Sequence, residues 1–171
     1  MFKYNILFIC LLLLNCKKEV KKVDVVEQVK TQDKAVKKED INTLKFDDIL
    51  LDRSAKKITQ DWKAYNTISD AIEAIKELKF NFFIEQEDLF KTTVTELRTI
   101  VPEELDTPPI KARLLVMQND LLRFQEELKI KKQLTKDDLV FIKAVFVSFS
   151  NLNLQINKKL EKEAQLIIKP Q

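Results

Sequence analysis

From residue 54 onward, apolar positions recur in steps of three and four, the period of an amphipathic helix rather than a strand. Ile58, Trp62, Tyr65, Ile68, Ile72 and Ile75 form one such stripe, which reaches Leu78 and meets Lys79-Phe80-Asn81-Phe82-Phe83. A second run, Leu89, Phe90, Val94, Leu97 and Ile100, stops at Pro102, because proline disfavours helix in the residue before it. Thr107-Pro108-Pro109 predicts a helix start, with Thr107 as N-cap and proline preset for the first helical position. Ile110, Leu114, Met117, Leu121, Phe124 and Leu128 follow as a heptad seam, which Leu115 and Leu122 widen toward a bundle core. Thr135-Lys136-Asp137-Asp138 reads as a capping box with Asp in place of Glu. Leu139, Ile142, Phe146, Phe149, Asn153, Ile156 and Leu160 complete the periodic pattern, which ends before Pro170.

The expected fold is therefore all-α, an up-down antiparallel bundle. Two arrangements fit. A break near Asn81 gives four helices over about 54–79, 83–101, 108–131 and 136–166. A continuous helix from 54 to 101 gives three, one with a long overhang. The overhang would expose Trp62, Tyr65, Ile72 and Ile75 to water unless a dimer covered them, which favours four. Leu44, Phe46, Ile49, Leu50 and Leu51 form a short apolar patch ahead of the bundle, expected to pack on it.

Residues 17–42 carry a different pattern. Lys, Glu, Asp, Val and Gln dominate and aromatics are absent, so the segment reads as a flexible spacer that cannot offset its own ordering entropy. As coil it would reach on the order of 25–30 Å. Before it, Met1–Asn5 carries one charge, Lys3, and Ile6–Leu14 is an apolar run too short to span a bilayer, which takes about 20 residues. The run has the length of a signal-peptide core. Three parts are thus expected: a signal at 1–15, a tether at 16–42 and a helical domain at 43–171.

Leu13-Leu14-Asn15-Cys16 closes the apolar run, with Lys17 and Lys18 after it. It resembles a bacterial lipobox, where diacylglycerol is attached to cysteine and the chain is cleaved before it. Leu13 and Cys16 match that pattern. Asn15 departs from the usual Gly, Ala or Ser, as in lipoproteins of Bacteroidota type. The resemblance implies an acylated Cys16 held in a membrane by its chains, at about 0.8 kcal/mol per buried CH₂. Lys17 in place of Asp implies, by similarity to the enterobacterial sorting rule, the outer membrane. Cys10 would be lost with the signal, leaving Cys16 as the only cysteine, with its sulfur alkylated.

Composition removes whole classes of chemistry. Among the 171 residues there is no glycine, so the glycine fingerprints of nucleotide folds and the nucleophile elbow of hydrolases are excluded. There is no histidine either, so no histidine general base and no histidine-ligated zinc or di-iron site can form. Basic and acidic residues number 30 and 27, for a net charge of +3, and are interspersed. That is a solvated helical surface rather than a nucleic-acid footprint. The expectation is a non-enzymatic chain without cofactor, metal or nucleic-acid partner. It would work by contact with another envelope protein or with its own second copy; a small-molecule or lipid-binding module is the alternative.

Three clusters are candidate sites. Tight turns between the last three long helices would put Glu96, Arg113 and Asn153 in one polar layer, with Ser150 and Asn157 beside it at i, i+3, i+7. Such a layer either recognises a polar or anionic group or fixes helix register. Phe80, Phe82, Phe83, Phe90, Phe124, Phe141 and Phe146 fall near one level, as an apolar ligand cavity or an aromatic core. Glu85, Glu87 and Asp88 could attract Ca²⁺ but lack the EF-hand order, and they also suit the positive start of a helix.

The stretches Pro102–Val116 and Phe149–Ala164, with the lipobox, resemble small helical lipoproteins of flavobacteria. That resemblance implies an envelope address and a helical fold, and it carries no catalytic or binding residue across.

Overall fold

The computed structural model describes residues 35–131 and 133–167. The expected signal and Cys16 lie outside them. Seven α-helices occur among the described residues: α1 (Lys38–Asn42), α2 (Arg53–Thr59), α3 (Lys63–Lys76), α4 (Asn81–Ile84), α5 (Glu87–Thr99), α6 (Pro108–Ile130) and α7 (Leu139–Ile167). The fold is all-α.

The four long helices alternate in direction. Glu87 at the start of α5 pairs with Lys129 near the end of α6, and Arg98 near the end of α5 meets Gln118 further back on α6. Lys131 pairs with Asp138 across the α6–α7 turn, and Asp120 lies beside Ser148. Tyr65 reaches Asn153, while Lys76, later on α3, lies over the ring of Phe146, earlier on α7. Each pairing runs antiparallel, as in an up-down bundle.

The periodic stripes fill its centre. Ile110, Leu114, Met117, Leu121, Phe124 and Leu128 are all buried, as are Trp62, Tyr65, Ile68, Ile72 and Ile75. Leu122 packs at the edge of this core, but Leu115 is 44% exposed and does not widen the seam. By length and composition α7 could cross a membrane. Here Ile142, Val145, Leu152 and Ile156 are buried within the bundle.

Three breaks divide the stretch from 54 to 101, at 60–62, 77–80 and 85–86, where the sequence pattern offers at most one. The expected helix 54–79 is interrupted at Gln60–Trp62 between α2 and α3, with neither glycine nor proline at the junction. The second break follows α3 and has a clear cause. Lys79 N donates to Ala74 O at 2.9 Å and Leu78 N to Ile75 O at 2.9 Å, the paired bonds of a Schellman motif. Leu78 takes the left-handed conformation this needs, at φ 57°. Glycine is the usual residue there, and the chain has none.

Helix starts divide similarly. The Thr135 capping box forms: Thr135 N and Oγ1 donate to Asp138 Oδ2 at 2.8 and 2.9 Å. Thr107 stands at the N-cap of α6 but makes no side-chain cap. Pro108 and Pro109 occupy the first two helical positions and have no N–H to offer it.

Residues 35–42, the last part of the expected tether, are packed on the bundle, and residues 16–34 lie outside the described residues. Val36 N donates to Leu134 O at 3.0 Å, beside an antiparallel bridge between Ala35 and Thr135. Ile41 on α1 is buried at 3% exposure, and Asp40 pairs with Lys136 at 2.7 Å. The packed domain thus includes residues 35–42. Val36 and Ile41 are the segment's buried apolar side chains, and the backbone bond to Leu134 and the ion pairs Asp40–Lys136 and Lys38–Glu77 hold it beside them.

Candidate functional site

The expected polar layer of Glu96, Arg113 and Asn153 does not form. Arg113 is exposed on α6, one position before the buried Leu114, while Glu96 is half-buried on α5 and Asn153 is buried on α7. That layer requires a tight turn at 102–107. Instead Glu103–Leu105 forms a 3₁₀ turn with Leu105 fully buried, which shifts α6 along α5 and sets Arg98 against Gln118.

Ser150, Asn153 and Asn157 do share one face of α7, and their partner is the extended segment 44–52. Ile49 N donates to Ser150 Oγ at 2.8 Å, and Ser150 Oγ donates to Asp47 O. Asn153 Nδ2 donates to Ile49 O at 2.9 Å. Asn157 Nδ2 donates to Leu50 O at 2.8 Å and Oδ1 accepts from Asp52 N at 3.0 Å. These side chains satisfy backbone groups that have no helix or sheet of their own. Tyr65 Oη completes the set by donating to Asn153 Oδ1 at 2.7 Å. Burial pushes the Tyr65 phenol up, and the bond to Asn153 offsets this only in part. Tyr65 is thus a neutral donor at physiological pH, not a phenolate base.

The phenylalanines split into groups. Phe83, Phe90 and Phe124 are fully buried; ring centroids are 5.4 Å apart for Phe83–Phe90 and 5.2 Å for Phe83–Phe124, with Phe80 and Phe82 against them. Phe146 leaves this group and packs on Phe46 at 5.3 Å, and Phe141 lies under the Arg123 guanidinium. The rings fill one another's space as an aromatic core does. Gln125, also buried, donates from Nε2 to Phe83 O at 2.9 Å and ties the α4 turn to this core.

In the acidic run, Glu87 is occupied by two ammonium groups, Lys91 at 2.5 Å and Lys129 at 2.7 Å. Lys129 first, then Lys91, bring its carboxyl down to about 2. Among the described residues no three His, Cys, Asp or Glu side chains gather as a metal site.

Two of the concavities among the described residues adjoin these groups. A cleft of about 270 Å³ lies between segment 44–52, α3 and α7, walled by Phe46, Tyr65, Phe146 and Phe149. At its rim Lys76 pairs with Glu73 at 2.8 Å and Asp48 at 3.5 Å. The second is a groove of about 460 Å³ where the α2–α3 break meets the end of α5. Ile58, Trp62, Ala64, Ile100, Val101 and Pro102 line it, with Asp61, Lys63 and Glu96 beside them. Trp62 is 3% exposed, and its Nε1–H has no hydrogen-bond partner among the described residues. An unmet buried donor of this kind costs about 1–3 kcal/mol. The periodic pattern had marked Trp62 as core; the unmet donor and the groove depend on a helix break that the sequence does not signal.

No protein family, curated protein or solved structure matches the chain.

Proposed function

We propose that this chain is a lipid-anchored protein of the bacterial cell envelope whose helical domain works by contact with another protein rather than by catalysis. The observation that carries the address is Leu13-Leu14-Asn15-Cys16 directly after the apolar run Ile6–Leu14. Its similarity to flavobacterial lipoproteins favours an envelope address, and Lys17 after the cysteine, by similarity to the enterobacterial sorting rule, favours the outer membrane. The contact reading draws support from the buried polar groups of the domain. Asn153, Ser150 and Gln125 bond to backbone, and Asp138 pairs with Lys131 and Thr135. Each is engaged in holding a segment or a turn. The chain's 30 basic and 27 acidic residues, interspersed along the sequence, argue against a nucleic-acid partner.

The test is metabolic labelling with a clickable palmitate analogue, followed by mass spectrometry of the mature N-terminus. The expected product begins at acylated Cys16, and Cys16→Ser abolishes label and membrane association together. An unlabelled, soluble product cleaved elsewhere overturns the anchor. A second reading, a small-molecule module, is favoured by the aromatic-walled cleft around Tyr65 and Phe146. It predicts that Ser69→Trp at that cleft blocks function while leaving the fold intact.

A further inference from the structure

Four large apolar side chains gather at the end of the bundle where the chain joins the domain. Ile84 closes α4, Leu89 lies in the first turn of α5, Ile130 is the last residue of α6 and Val140 lies in the first turn of α7. All four are exposed, Ile130 by 73%. Ion pairs fix them at one end: Glu87–Lys129 joins the start of α5 to the close of α6, and Lys131–Asp138 joins that close to the start of α7. Ile84 also lines a concavity of about 240 Å³ with Leu78, Phe80, Leu128, Leu134 and Val36. Val36 stands where the chain meets the bundle, through its bond to Leu134. The apolar patch and the point of entry are therefore contiguous. The other exposed large apolar residues, Leu50, Ile100, Leu115 and Val116, lie in segment 44–52, at the far end of α5 and in the first half of α6.

The charges at this end form no basic patch. Glu87 takes up Lys91 and Lys129, Asp138 takes up Lys131, Asp40 takes up Lys136 and Glu77 takes up Lys38. Glu85 and Asp88, next in sequence to Ile84 and Leu89, are in no salt bridge among the described residues, and neither are Lys37 and Lys79. Attraction to an anionic lipid surface calls for clustered lysines or arginines. Both signs side by side suit headgroups that themselves carry both.

The length of chain ahead of this end says what the patch faces. With Cys16 acylated, only residues 17–34 separate the acyl chains from Ala35. A coil of that length reaches roughly 20–25 Å. Helix α7, at 29 residues, is about 45 Å long. The entry end is thus the one kept within reach of the bilayer. A tether of this kind supplies an effective concentration on the order of mM, so a patch of a few side chains suffices where it would not hold a free domain.

We infer that this end of the bundle docks on the zwitterionic surface of the bilayer that holds the anchor, with Ile84, Leu89, Ile130 and Val140 seated at the boundary of headgroups and acyl chains. The inference rests on the lipid-anchor reading above and adds which end of the domain meets the membrane. Apolar burial drives the contact, so salt leaves it in place.

The mature chain has no cysteine besides the acylated Cys16, so an introduced surface cysteine is its single free thiol. Full chains with Ile130→Cys, Leu89→Cys or Ile100→Cys, each carrying an NBD fluorophore, are placed in phosphatidylcholine liposomes. A fraction of the lipid bears a doxyl quencher near the headgroup end of its acyl chain. The probes at 130 and 89 should be blue-shifted and quenched about threefold more than the probe at 100, which belongs to the far end of α5. Quenching should persist as salt rises from about 0.05 to 0.5 M, where the Debye length is about 4 Å, and should not grow with added phosphatidylglycerol. Adding Leu89→Asp and Val140→Asp to the Ile130→Cys chain should abolish its quenching and leave its melting curve in place, since both side chains are exposed. Equal quenching at 100 and 130, no quenching at 130, or quenching that requires phosphatidylglycerol and vanishes at high salt overturns the inference. So does a blue shift at 130 without quenching that fades as protein is diluted in lipid, which would make the occupant a second copy. Mass spectrometry reads the fluorophore's position and the acyl group on Cys16 in the same preparation. An acylated chain unquenched at 130 sinks the docking only; an unacylated chain quenched there on addition to the liposomes sinks the anchor only.

Discussion

Tyr65 donates its phenolic hydrogen to Asn153 Oδ1 at 2.7 Å, and the same Asn153 amide donates to Ile49 O at 2.9 Å. One buried side chain thus joins α3, α7 and the extended segment 44–52. The two ends of the bond are not equivalent. Asn153→Ala strands the Tyr65 hydroxyl and the Ile49 carbonyl together, and should cost about 2–4 kcal/mol of unfolding free energy. Tyr65→Phe strands only Asn153 Oδ1 and should cost about 1–2 kcal/mol. In the double variant the costs should fall short of their sum, because the two residues share one bond. Urea denaturation checks this; strict additivity would mean the bond contributes nothing.

Arg113 makes the contrasting case. It is exposed on α6, so Arg113→Ala should change stability by less than about 0.5 kcal/mol. A loss of 2 kcal/mol or more in the same titration would restore the buried polar layer of Glu96, Arg113 and Asn153.

Residues 35–42 bring a prediction about the domain boundary. A chain beginning at residue 33 retains Val36 and Ile41, both buried, and the bond from Val36 N to Leu134 O. A chain beginning at residue 43 loses them and should be less stable by about 2–5 kcal/mol. Equal thermal midpoints for the two would return this segment to the spacer.

Asp138 gives the pH dependence a sign. Burial pushes its carboxyl up, but the Lys131 ammonium and the two Thr135 bonds outweigh burial and hold it below the ordinary aspartate value. Glu87, brought to about 2 by Lys129 and Lys91, acts in the same direction. A depressed carboxyl contributes stability above its unfolded pKa and loses it as pH falls through the folded one. The urea midpoint should therefore hold between pH 7 and about 5 and decline below about 4. Asp138→Asn should lower it at pH 7, and the gap to the unmodified chain should narrow at pH 3. A gap that stays constant with pH would show that Asp138 acts through shape alone.

What the sequence made legible was what repeats. The seam from Ile110 to Leu128 is read from its period, and every member is buried. Contacts that depend on non-repeating segments were not legible. Ser150, Asn153 and Asn157 could be seen to share a helix face, but their partner, segment 44–52, is extended and has no period to align. Arg113 was placed against Glu96 because the length of the 100–107 connection does not reveal that it holds a 3₁₀ turn around a buried Leu105. Trp62 was legible as core, whereas the groove beside it requires a break between Thr59 and Lys63 that no helix-breaking residue announces.

The turn after α3 shows how a chain without glycine ends a helix, and its cost can be measured. Leu78 sits at φ 57°, where a side chain with a Cβ crowds the following carbonyl by roughly 1–2 kcal/mol. Leu78 is also half-buried against the core, so replacing it by glycine alone mixes relief of the backbone with lost packing. Comparing Leu78→Gly with Leu78→Ala separates them, because both remove the leucine side chain and only alanine retains the crowding. Glycine should be the more stable of the two by about 1 kcal/mol, even though it gives the unfolded chain more freedom. Equal stability, or alanine ahead, would mean the helix continues through residue 78.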